Sequence, residues 1–139
     1  MLALFGRDSG LCATMAAVAR FNAAFDRHDV DAVMAEMTDD CVFEATTPPD
    51  GARHEGQAAV RAAWMEFFCA SPDATFATEE IFAVDHRVVS RWRFSWGGRN
   101  SGGHVRGVDV FRVRDGKVAE KLEVCQGMTG PSRCSTHPR

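Results

Sequence analysis

An α+β fold is predicted by the order of the periodicities along the chain. Apolar residues recur at spacings of three and four in the first half, and alternate one-on, one-off in the second. An Asp-Gly pair stands between the last two alternating runs, as a tight hairpin requires. Helices first and antiparallel strands after them make a layered α+β domain. At 139 residues one domain is the simplest reading, with the domain at 1–127 and an irregular tail at 128–139.

Each element has its own signal. Asp8 or Ser9 is suited to cap a first helix running to about His28, with Leu11, Met15, Val18, Phe21 and Phe25 in one stripe. Asp29 caps a short helix, Val30 to Met37. Cys41 to Ala45 reads as a short strand, and the Pro- and Gly-containing run 46–51 as a loop. Gln57 to Cys69 is a third helix, which Ser71-Pro-Asp ends. Phe76 to Val84 and Arg87 to Trp96 are strands joined at Asp85-His86. A glycine-rich loop, 97–103, leads to His104 to Arg114 and then Lys117 to Gln126, paired around Asp115-Gly116. The tail after 126 lacks periodicity.

Composition excludes several classes. Net charge is −3, and the 16 Lys and Arg form no block, so nucleic acid is not an expected partner. No apolar run approaches the roughly 18 residues of a membrane span, and no signal peptide is evident, so a cytoplasmic protein is expected. The five cysteines are scattered and odd in number, which suits buried thiols better than a disulfide framework. No His or Cys spacing suggests a metal, and no cofactor is expected. The chain contains no tyrosine, so no phenol can serve as acid or donor.

Asp109 is the most informative residue. Alternation puts Val105, Gly107, Asp109, Phe111 and Val113 on one face of their strand, and His104, Arg106, Val108, Val110, Arg112 and Arg114 on the other. Asp109 is the only charge on its face, and a carboxylate among apolar neighbours must pair, stay protonated or act on a ligand. On the preceding strand Val88, Ser90, Trp92, Phe94 and Trp96 share a face. Those aromatics, with others from the helices, either line a pocket or fill the core.

The helix, the short helix ending in Thr38-Asp39-Asp40, the strand, the Pro/Gly loop, His54-Glu55-Gly56, the third helix and the long strands ending in Val108-Asp-Val-Phe-Arg-Val-Arg-Asp-Gly-Lys-Val118 follow a known order. Over residues 11 to 127 the chain resembles the nuclear-transport-factor-2-like superfamily, most closely its SnoaL-like polyketide cyclases and ketosteroid isomerase relatives. The resemblance implies a cone in which a curved antiparallel or mixed sheet wraps three N-terminal helices around a deep pocket. It also puts Asp109 where the isomerases hold a protonated acid, a carboxyl kept neutral by its apolar site. The isomerase base position matches Ala45, its oxyanion tyrosine matches Phe21, and two supporting tyrosines match Met37 and Trp64. Steroid isomerisation by the known mechanism is therefore not expected.

The hairpin register decides what stands beside Asp109. A two-residue Asp115-Gly116 loop pairs it with Leu122, whereas a three-residue loop puts it opposite Lys121, with Glu123 and Cys125 on the same face. The three-residue loop is favoured because it gathers Val118, Leu122 and Val124 with Val108 and Val110 on the sheet back, where such proteins commonly form homodimers. Lys121 would then hold Asp109 ionised, with Glu123 competing for the ammonium. His104 joins only if a bulge at Gly102-Gly103 turns it inward. The expected catalytic set is Asp109, His104 and Lys121. The expected pocket is Phe21, Ala45, Trp64, Phe68, Ser90, Trp92, Phe94 and Glu123. The expected ligand is a small hydrophobic molecule, turned over by isomerisation, cyclisation or dehydration without a cofactor. The alternative is a non-catalytic binding or scaffold module.

Overall fold

The computed structural model of the chain describes residues 2–46, 49–97 and 102–125, with side chains from Gly10 onward. The elements are α1 (Leu2–Asp26), α2 (Val30–Ala35), β1 (Met37–Ala45), β2 (Ala52–Glu55), α3 (Gly56–Ala70), β3 (Thr75–Val84), β4 (Arg87–Trp96), β5 (Gly103–Arg114) and β6 (Lys117–Cys125). The six strands form one open mixed sheet in the order β2-β1-β6-β5-β4-β3, with β1 and β6 parallel and the other neighbours antiparallel. Helices and sheet together make a cone-shaped α+β fold.

Local chemistry sets the element ends. His28 takes φ 55°, and its N–H bonds Phe25 O while Asp29 N–H bonds Ala24 O, a Schellman closure of α1. The Asp29 side chain then accepts from Ala32 N at 3.1 Å, capping α2 as expected. The α1 start is not at Asp8 or Ser9, because the helix continues through them. Strand β1 begins at Met37 and so absorbs Thr38-Asp39-Asp40; its long parallel partner β6 extends it. The expected loop before α3 contains β2, an edge strand that pairs with β1.

The core lies between α1, α3 and the concave side of the sheet. Val18, Phe21, Val33, Val60, Val88, Phe111 and Val118 are fully buried there, and Trp64 packs edge-on to Phe21 and Phe25. Every β5 residue expected inside is buried, from Val105 to Val113, and every one expected outside is exposed or half-buried. The expected 128–139 tail lies outside the described residues.

The hairpin resolves the register question by a route that sequence did not contain. Arg114 pairs with Lys117, so the loop is the two-residue Asp115-Gly116, with φ of 53° and 73° at the two positions. Val113 pairs with Val118, but Arg112 pairs with Glu120, leaving Ala119 as an extra residue. One inserted residue flips every later side chain to the other face. Asp109 therefore pairs with Glu123, not with Leu122 or Lys121. Val118 lies in the core, contrary to its expected place on the sheet back, because it precedes the bulge.

Candidate active site

Strands β4, β5 and β6 bring their inward residues together around Asp109. Ser90 on β4 is its partner on one side and Glu123 on β6 its partner on the other. Lys121, two residues before Glu123 on the same face, reaches back so that Nζ lies 3.2 Å from Asp109 Oδ1 and 3.7 Å from Glu123 Oε1. Beyond this ion pair, Asp109 Oδ1 has no hydrogen bond. Three rings surround the ammonium, Phe43 at 5.1 Å, Trp64 at 5.3 Å and Phe25 at 5.6 Å, measured to their centroids. The lysine is thus held by cation–π contacts as well as by the two acids.

Burial dominates the electrostatics. Asp109 and Lys121 are each about 5% exposed or less. Desolvation pushes the Asp109 carboxyl above the usual range, against the opposing pull of Lys121. Glu123 is pushed up by desolvation too, and by the negative charge of Asp109, with Lys121 opposing. Desolvation works against the Lys121 charge, but its two carboxylate neighbours more than offset this and raise its pKa. One buried ammonium cannot neutralise two carboxylates, so both acids hold their protons more tightly than ordinary carboxyls. Burial thus opposes the expected hold of Lys121 on an ionised Asp109.

A cavity of about 200 Å³ opens beside this cluster, between α1 and β3. Its floor is Ser90, Trp92, Asp109 and Lys121. Its α1 wall is Phe21, Asn22, Ala23, Phe25 and Asp26, and its β3 wall is Phe76 and Thr78. Asp26 also accepts from Phe76 N at 3.2 Å, tying the two walls together. Gly107 gives the Trp92 ring its place, since a Cβ there would lie 2.3 Å from Trp92 Cζ2. A buried acid on the floor of a cavity walled in part by Phe21, Phe25, Phe76 and Trp92 is suited to donate or accept a proton on a small apolar ligand.

Residues 18–121 match the model of the SnoaL-like domain family. The chain belongs to the SnoaL-like family. A protein of unknown function with the nuclear-transport-factor-2-like fold, from Mesorhizobium loti, is 36% identical, with 83% of this chain and 92% of that one covered and a TM-score of 0.70. A putative polyketide cyclase from Xanthomonas campestris pv. campestris is 20% identical over 83% of this chain and 91% of that one, with a TM-score of 0.67. A putative ketosteroid isomerase from Kribbella flavida is 16% identical over 88% and 84%, with a TM-score of 0.71. The last two likenesses concern the fold alone. No curated protein sequence matches the chain.

Within this SnoaL-like site the structure brings together Asp109, Lys121, Phe21, Ser90 and Trp92 at the cavity. Glu123 joins the charge cluster but not the cavity wall. Ala45 is buried and pairs with Glu123 across the parallel β1–β6 ladder, without lining the cavity. Glu44 points the other way, as alternation requires, and binds Arg53 at 2.8 Å. Three aromatics expected around the ligand instead pack against other rings. Trp64 tilts against Phe43, Phe68 stacks on His28, and Phe94 packs with Phe76 and Trp96. They fill space between α3 and the sheet, and the cavity lies between α1 and β3 instead. His104 is not beside Asp109: it pairs regularly with Ser95, stays exposed, and meets Arg93 at 3.2 Å. The sequence reading missed Asn22, Asp26, Phe76 and Thr78. Asn22 and Asp26 were detectable in principle, being four apart on a helix and adjacent to the Phe21–Phe25 stripe. Among the described residues, no group of three His, Cys, Asp or Glu is placed to hold a metal.

Proposed function

We propose that this SnoaL-like chain binds a small, hydrophobic, carbonyl-bearing molecule between α1 and β3 and moves a proton on it without a cofactor. The observation that carries the reading is the buried Asp109–Lys121 pair at the cavity floor, with Glu123 beside the same ammonium. Burial raises the proton affinity of both acids against the pull of one lysine, which favours a carboxylic proton for a ligand oxygen. Asp109 is the acid/base, and Lys121 and Glu123 set its proton affinity. At about 200 Å³ the cavity is smaller than the roughly 300–1,000 Å³ of drug-sized sites, which favours a single-ring ligand over a polycyclic one. Isomerisation, cyclisation or dehydration of such a compound all need this proton transfer.

The test is exchange of activated C–H protons in D₂O, followed by proton NMR, on small cyclic unsaturated ketones and diketones. The wild type should accelerate exchange, and Asp109→Asn should lose roughly 10²-fold or more, the usual contribution of a positioned acid or base. Equal rates in the two proteins would remove Asp109 from the chemistry. A second reading, ligand binding without turnover, is favoured by one observation: an alanine, Ala45, stands where related isomerases carry their base. It predicts saturable binding with no exchange above buffer.

We also propose a homodimer through the sheet back. Val108 faces Val124 and Val110 faces Leu122 in adjacent cross-strand pairs, and Val124 is 53% exposed. Val124→Lys should then convert a dimer to a monomer in sedimentation. Among the described residues no helix is long and apolar enough to cross a membrane. Four of the cysteines are free thiols, which fits a cytoplasmic setting.

A further inference from the structure

Among the described residues, the Trp92 indole is one of two buried polar groups at the cavity without a hydrogen bond, Asp109 Oδ1 being the other. It lines the cavity wall and is 4% exposed, yet its Nε1 has no hydrogen-bond partner. A buried N–H left unsatisfied is disfavoured unless something else satisfies it. The ring is also closely fixed. Gly107 lies opposite it on β5 with no room for a Cβ, and Phe76 meets it edge-on at 5.3 Å. The indole N–H is near enough to the Asp109 carboxyl to draw its pKa down somewhat, without closing a hydrogen bond. The floor thus holds, side by side, the Trp92 N–H and a carboxyl whose proton affinity burial raises.

We propose that Trp92 Nε1 donates to the ligand oxygen that Asp109 protonates, so that the site selects a ligand with a carbonyl, enol or phenol oxygen at one end and an apolar ring behind it. The inference rests on the Asp109 reading above and adds to it a second donor, one that is neutral at every pH. In a chain with no tyrosine, the indole supplies the fixed donor that a phenol would otherwise provide. An oxygen gripped by two donors in a dry site is bound more strongly as negative charge builds on it. A ligand presenting only N–H groups finds no acceptor at Trp92 and is disfavoured.

The probe is 4-nitrophenol, a single ring carrying one ionisable oxygen, titrated into ¹⁵N-labelled protein. The three tryptophans give three indole N–H peaks, and the Trp92 peak is the one absent from Trp92→Phe. The Trp92 peak should move downfield on titration. Trp92→Phe, which keeps an aromatic ring and removes the N–H, should bind about tenfold more weakly or worse, as for loss of a hydrogen bond to a charged oxygen. Wild-type affinity in Trp92→Phe overturns the inference, whatever the peak does, and leaves the role of Asp109 standing. Absence of saturable binding to the wild type overturns both. If Trp92→Phe does not fold, the wild-type peak decides: a static Trp92 N–H in the saturated protein overturns the inference.

Discussion

Strands β5 and β6 carry charged residues on both faces, and the two faces treat them differently. Outside, Glu120 lies 3.2 Å from Arg112 and 3.3 Å from Arg87, with all three side chains part-exposed. Inside, one residue further along β6, Lys121 lies at a similar distance from Asp109, with both nearly sealed from water. The geometry of the pairs is alike; the solvent is not. Water screens the outer pairs, so each contributes about 0–1 kcal/mol. The inner cluster interacts strongly, but desolvation offsets that attraction, so its effect falls on proton affinity. Opposite faces of one hairpin thus hold a solubilising charge network and a tuned acid.

Lys121→Ala should separate the two faces most. It strands two buried carboxyls and empties a ring-lined space, and should destabilise the chain by about 3–5 kcal/mol in urea unfolding. A loss below about 1 kcal/mol would make the inner cluster equivalent to the outer one. Gly107→Ala comes next, because its Cβ collides with the Trp92 ring and with Val124 O. Overpacking of this kind should cost about 1–3 kcal/mol and shift Trp92 fluorescence.

Titration distinguishes the faces as well. Asp109 and Glu123 have raised pKa values in the folded chain, so the folded state keeps a proton that the unfolded state has released. Their contribution is therefore complete below the ordinary carboxyl values of 3.8 and 4.5 and falls as pH rises through the raised ones. Lys121, also raised, adds a further loss above 10.5. Asp109→Asn should flatten the first decline, and an unchanged slope would remove it from the cluster. On the exposed side Asp40 runs the opposite way, its carboxyl lowered by the Arg114 guanidinium. The least change is expected for Glu120→Gln, within about 1 kcal/mol in the same unfolding assay.

Sequence alternation was enough to assign the faces of β5, because a half-buried strand has only two choices and the arginines marked one of them. It also supplied Asp109, and the order of elements supplied the fold. Three things were out of its reach. The Ala119 bulge leaves no composition signal, yet it alone puts Lys121 and Glu123 inside while the loop stays at two residues. Where space remains beside α1 depends on how Trp64, Phe67 and Phe68 pack, which is a matter of volume rather than pattern. The net direction of the Asp109 pKa depends on how far burial exceeds the pull of Lys121, and only the folded chain determines that. His104 depended on a bulge at Gly102-Gly103 that the regular β4–β5 ladder does not have, and Ala45, named through the resemblance, is buried away from the cavity.

The chemistry proposed for the site depends on Asp109 and Glu123 holding their protons more tightly than ordinary carboxyls beside Lys121. Carboxyl ¹³C NMR, with Asp109 and Glu123 assigned through their Asn and Gln variants, measures it directly. Both carboxyls should titrate above the ordinary values of 3.8 and 4.5. Complete ionisation of both at or below those values would contradict the raised proton affinity.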